Sequence, residues 1–125
     1  MRIVVKGFDN KEKERKAKLM AEIMALSAKL RGKDVERVSI EPYTKTSPEL
    51  WFCMSIKIPK EASIYDIGGE HFDVQVIGFW IDDTMEEPRL VICGKVKERY
   101  IRNIGQLEAL KNGIEQRIRV EGKEI

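Results

Sequence analysis

Apolar residues occupy every even position from Leu50 through Phe52, Met54 and Ile56 to Ile58, while the odd positions run from Trp51 through Cys53 and Ser55 to Lys57. A period of two is the signature of an extended strand whose successive side chains point to opposite faces. The pattern therefore predicts a strand over 50–58, closed by Pro59, in a sheet with one face buried under helices. The reverse face of that sheet is only half suited to water.

The same reasoning extends along the chain. Residues 2–6 predict a short strand, with Ile3 and Val5 on one side, Val4 on the other and Gly7 as its end. Asp9 with Glu12 three residues on suggests a capping box opening a helix over 10–31. Leu19, Ile23, Leu26 and Leu30 form its stripe, widened by Met20 and Met24, and Gly32 is a natural stop where positive φ carries no steric penalty. Val35 to Glu41 predicts a second strand ended by Pro42, and the polar run 43–48 a loop. Residues 64–67 suggest a short edge strand before a Gly68-Gly69 turn.

Phe72, Val74 and Val76 alternate, but the apolar phase slips at Ile77, after which Ile77, Phe79 and Ile81 carry it. A slip beside Gly78 predicts a β-bulge, the rival being a strand buried on both faces over 76–81. An acidic loop over 82–88 leads to a last strand, Leu90 to Val96. Ile101, Ile104, Leu107 and Leu110 suit a second helix from about residue 101 to Lys111, with Asn112-Gly113 as its end; beyond it Ile114 and Ile118 continue the helical stripe of Leu110, while Ile114, Gln116, Ile118 and Val120 alternate like a strand, and the preferred reading is an extended tail. Long alternating strands with short connections favour antiparallel pairing. The predicted fold is a single α+β domain over residues 1–125: an antiparallel sheet of about five strands, with the long amino-terminal amphipathic helix on one face and a carboxy-terminal helix.

Composition adds bounds. At 125 residues, with 35% charged and 42% apolar, the chain can bury about two thirds of its unfolded surface in one core. No apolar run approaches the ~20 residues that span a bilayer. The apolar run at the amino terminus is too short for a signal peptide, which gives a cytoplasmic expectation and no membrane partner. Asn and Gln number three each, which hints at a heat-tolerant source, although five Met count against it. Residues 1–33 hold ten Lys/Arg against four Asp/Glu, and residues 34–98 hold seven against thirteen. This asymmetry can steer anionic partners or dock one copy of the chain on another.

Several residues invite chemistry. His71, the only histidine, would share a strand face with Asp73, as a carboxylate-oriented imidazole requires; the blander reading is a solvent-side ring after a turn. Cys53 and Cys93 are read as two small buried hydrophobes rather than a disulfide framework. If their strands are neighbours the thiols could approach, but no CxxC or further histidine completes a metal site. Asp82, Asp83, Glu86 and Glu87 lack the alternation and central Gly of a calcium loop, so no metal and no cofactor is assigned. Lys11, Lys13, Arg15, Lys16 and Lys18 could track phosphates of nucleic acid, although Glu12–Lys16 and Glu14–Lys18 spacing also supports the helix itself. Arg99, Arg102, Arg117 and Arg119, with Trp80 or Phe79 as a platform, could clamp a nucleotide-like anion.

The strongest lead is the reverse sheet face. Trp51, Cys53, Val91 and Cys93 share it if strands 50–58 and 89–97 pair, with Lys57, Lys95 and Lys97 as a charged rim. An apolar centre with a polar border suits an interface between copies; alternatively the second helix covers it. The leading expectation is a non-enzymatic binding or assembly module acting as a homo-oligomer. The alternatives are an anion binder, of a nucleotide-like molecule or nucleic acid, and a small enzyme built on His71.

Overall fold

Strand β1 (Arg2–Val5) lies beside β2 (Val35–Pro42) and runs parallel to it, with Ile3 opposite Val38 and Val5 opposite Ile40. Helix α1 (Lys11–Leu30) is the connection between them. The expectation of a purely antiparallel sheet is corrected here: the sheet is mixed. A twenty-residue helix carries the chain back along the length of β1, so the next strand starts at the same end, whereas tight connections force antiparallel neighbours. The remaining strands, β3 (Leu50–Lys57), β4 (Val74–Asp82) and β5 (Arg89–Val96), pair antiparallel, giving the order β1-β2-β3-β5-β4. The computed structural model describes residues 1–44, 49–57, 74–82, 84, 88–96 and 103–121. The suggested edge strand at 64–67 and the Gly68-Gly69 turn lie outside them.

Helix α1 is capped by Asn10, one residue after the expected Asp9. The Asn10 side chain accepts from the Glu12 and Lys13 backbone N–H groups at 2.8 and 3.1 Å. Its other end is a Schellman closure: Gly32, at φ +78°, donates to Lys29 O and Lys33 donates to Ala28 O, which satisfies carbonyls that the helix leaves open. The buried surface is broader than the expected stripe. Leu19 and Leu26 are only partly buried, whereas Ala17, Ala21, Ala25 and Ala28 join Met20, Ile23, Met24 and Leu30 in the core. The helix packs on the sheet and against α2 (Ile104–Val120), and alanines let both neighbours come close.

Helix α2 starts at the Asn103 cap, where Asn103 and Gln106 form a reciprocal capping box, a signal of Asn followed three residues later by Gln. It runs through Asn112-Gly113 to Val120, which corrects the expected end near Lys111 and extended tail. Ile114 and Ile118 are buried together with Leu107 in the common core. That burial outweighs the local cost of Gly113 in a helix. Arg15 binds Glu108 at 2.5 Å and Lys111 pairs with Glu22, tying α2 to α1.

On the sheet, Val38, Ile40, Phe52, Met54, Ile56, Ile92 and Val96 fill the helix side. The register between β4 and β5 shifts between Val76 and Gly78. Ile77 is the extra residue of a bulge, at the predicted place, and its exposure, with that of Phe79 and Ile81, removes the rival of a strand buried on both faces.

Candidate functional site

Pairing of β3 with β5 puts Cys53 opposite Cys93, Ser55 opposite Val91 and Trp51 opposite Lys95. Paired residues share a face, so Trp51, Cys53, Val91 and Cys93 stand together on the side away from the two helices. Continuing each rung gives a row Ser39, Cys53, Cys93, Gly78, flanked by Arg37, Ser55, Val91, Trp80 on one side and Glu41, Trp51, Lys95, Gln75 on the other. Small residues thus floor the middle of this face, with Trp51 and Trp80 rising from the neighbouring rows. Helix α2 packs on α1, so the alternative in which α2 covers the reverse face does not apply.

The two cysteines are not the free buried hydrophobes the chain suggests: a disulfide joins them. Directly opposed residues on antiparallel strands bring their Cβ atoms within bonding range of two sulfurs, and here the Cα atoms are 4.2 Å apart. Oxidised, the pair offers neither a thiolate ligand nor a nucleophile.

Trp51 is held within its own chain. Its ring lies 6.1 Å from that of Tyr43 at a 35° tilt. Lys95 sits 5.0 Å above Tyr43 and 3.2 Å from Glu49. The cluster uses the aromatic faces for a cation contact and leaves Trp51 half-buried.

Strand β4, at the outer edge, is different. Ile77, Phe79, Trp80 and Ile81 are 53%, 72%, 51% and 63% exposed. Phe79 and Ile81 are on the helix side of the sheet but beyond the helices, since the only substantial neighbour of β4 among the described elements is β5. Trp80 is on the reverse face. The chain does not mark Ile77 and Ile81 as surface residues: their signal is apolar character on both parities after the slip, which only the strand's edge position turns into exposure. Asp82 ends the strand. Its carboxylate accepts from the Thr84 hydroxyl at 2.6 Å and from the Thr84 backbone N–H at 3.0 Å. These bonds, with a smaller contribution from Arg89, hold its pKa below the ordinary value.

The anion-binding candidates are dispersed. Arg117 and Arg119 are exposed on α2, with Arg117 3.8 Å from Glu121, while Phe79 and Trp80 are on β4. On α1, Lys11, Lys13 and Lys18 are exposed. Arg15 is paired with Glu108 and Lys16 with Glu12 at 3.7 Å. Arg99, Arg102, Lys97, His71, Asp73, Asp83, Glu86 and Glu87 lie outside the described residues. Among the described residues no three His, Cys, Asp or Glu side chains gather as a metal would require. A cleft of about 630 Å³ opens where β1 leads into α1, lined by Gly7, Phe8, Asp9, Lys13, Glu41, Pro42 and Thr44. Its described lining holds two carboxylates beside one lysine, a balance that disfavours an anion. No helix among the described residues is long and apolar enough to cross a membrane. No protein-family model, curated protein or solved structure matches this chain.

Proposed function

We propose that the chain is a non-enzymatic assembly module that associates with copies of itself through apolar surface of its sheet. The observation that carries this reading is the run of exposed Ile77, Phe79, Trp80 and Ile81 on β4. Large apolar side chains grouped on the outermost strand among the described residues are what a partner surface buries. Trp80 and Val91 continue this surface onto the reverse face, toward the Cys53–Cys93 disulfide and Trp51. Light scattering on the full chain at micromolar concentration tests the reading: a mass of two copies or more supports it, and a monomer overturns it.

A second reading, binding of nucleic acid, draws on exposed Lys11, Lys13 and Lys18 along α1. Its test is a salt-dependent shift of a labelled oligonucleotide, lost when the three lysines become glutamates. The cytoplasmic placement is part of the proposal. A disulfide is unusual in that compartment except in heat-adapted organisms, and the scarcity of Asn and Gln favours that exception.

A further inference from the structure

Among the described strands the two outermost, β1 and β4, carry charged residues of opposite sign. Edge strand β1 has an apolar centre, Ile3-Val4-Val5, between Arg2 and Lys6. Edge strand β4 has an apolar centre past its bulge and ends in Asp82, and the chain flanking it on both sides is acidic in sequence, with Glu70 and Asp73 before and Asp83, Glu86 and Glu87 after. Like edges are poor partners. Two antiparallel β1 strands in register would set Arg2 against Lys6, and two β4 strands cannot hold one face across both bulges.

We propose that copies of the chain join head to tail, β4 of one pairing antiparallel with β1 of the next so that Asp82 stands opposite Arg2. This rests on the assembly reading above and specifies its surface. Directions agree with it: β1 runs with β2, β2 against β3, β3 against β5 and β5 against β4. Strand β1 is therefore antiparallel to β4 within one molecule. A second copy in the same orientation presents its β1 antiparallel to the first copy's β4 and keeps its helices on the same side of the continuous sheet. Length agrees as well, since the regular stretch of β4 beyond the bulge, residues 78–82, matches residues 2–6.

The faces also match. Arg2 is in register with Arg37, and through Ser55 and Val91 with Trp80, so Arg2 and Asp82 are both on the reverse face. With Asp82 opposite Arg2, Ile81 meets Ile3 and Phe79 meets Val5 on the helix side, while Trp80 meets Val4 on the reverse side. Three of the four exposed apolar residues gain an apolar neighbour, and the terminal pair is oppositely charged. Such a junction is heterologous, so it builds rings or open chains rather than closing at a two-fold dimer.

The test uses the full-length protein and measures mass against concentration. Arg2→Glu alone and Asp82→Lys alone each set like charges at the junction and are expected to weaken association by about tenfold. An equimolar mixture of the two variants restores opposite charges at every mixed junction, and so does the double variant. Association near the wild-type level is expected for both. Because Asp82 also binds Thr84, Arg2→Glu and Phe79→Ser, which break no observed polar contact, decide the matter if Asp82→Lys fails to fold. A monomeric wild type removes the assembly reading and this junction together. An associating wild type whose mass is unchanged by Arg2→Glu and Phe79→Ser, or singles whose loss neither the mixture nor the double variant repairs, overturns the junction alone.

Discussion

Arg89 on β5 reaches over β3 to Glu36 on β2, its Nε donating to the Glu36 carboxylate. The arginine is 7% exposed and also donates to the Pro88 carbonyl at 3.4 Å. Glu36 occupies the irregular step of β2 between Val35 and Arg37, which frees it from the regular rung. One ion pair thus fastens three consecutive strands at the end of the sheet where Asp34 also meets Lys57 at 3.7 Å. Removing the carboxylate leaves a guanidinium largely out of water with one fewer acceptor. Glu36→Ala is expected to lower stability by about 1–3 kcal/mol, measured by urea unfolding. A change near zero would show that the pair contributes no more than a surface bridge.

The Cys53–Cys93 disulfide closes a loop with a sequence separation of 40 that contains all of β4. In the chain-entropy account, such a link stabilises the fold by restricting the unfolded chain, by about 2–4 kcal/mol. The double variant Cys53→Ser, Cys93→Ser, or treatment with a reducing agent, should lower the unfolding midpoint accordingly. A thiol assay on unfolded protein should find no free thiol before reduction and two after it. Two thiols before reduction would return the cysteines to the free state suggested by their spacing.

Glycines at two positions should respond oppositely to alanine. A Cβ on Gly94 would lie 2.1 Å from Gln75 O and 2.9 Å from Val76 Cα, both backbone atoms next to the β4 bulge. Neither can move without disturbing the ladder, so Gly94→Ala should destabilise the protein by at least about 1–3 kcal/mol. At Gly113, inside α2, an added Cβ meets nothing within 4 Å. Gly113→Ala should stabilise the protein by about 0.5–1 kcal/mol through helix propensity alone. Thermal unfolding of the two variants side by side checks the sign of each.

What could be read in the chain follows from which forces are local. Alternation from Leu50 to Ile56, the slip at Ile77 and the stop at Gly32 are carried by side-chain period and backbone conformation, and each appears where expected. Neighbour relations are not local. Nothing in Arg2 to Lys6 says that β2 runs parallel to β1, because that depends on where α1 returns the chain. The end of α2 departs from expectation for a related reason: Asn112-Gly113 is a true local stop signal, overridden by burial of Ile114 and Ile118. For the candidate site, grouping of Trp51 with Val91 was legible once β3 and β5 were assumed to pair. The approach of the two thiols is legible only on the condition that their strands are neighbours, since cysteines separated by 40 residues acquire meaning from register. Exposure of Phe79 and Ile81 is not legible, because an apolar strand is a core strand or an edge according to the strand order.

The carboxylate of Asp82 supplies a pH-dependent signature at the same edge. Two hydrogen bonds from Thr84, and to a smaller degree the charge of Arg89, favour its ionised form. Its pKa is therefore lower in the folded protein than in the unfolded chain. A group depressed in this way contributes stability that is fully present above the unfolded value, about 4 for a free carboxyl, and is lost as pH falls through the folded value. Carboxyl resonances followed by NMR between neutral and strongly acidic pH should show Asp82 titrating below the ordinary aspartate range. Thr84→Ala removes the hydroxyl donor, the largest cause, and should raise that midpoint while the backbone bond retains part of the shift. An Asp82 midpoint that stays in place in Thr84→Ala would mean that the hydroxyl does not hold the carboxylate in solution. The turn after β4, which fixes where Asp82 faces a neighbouring edge, would then lack the restraint described here.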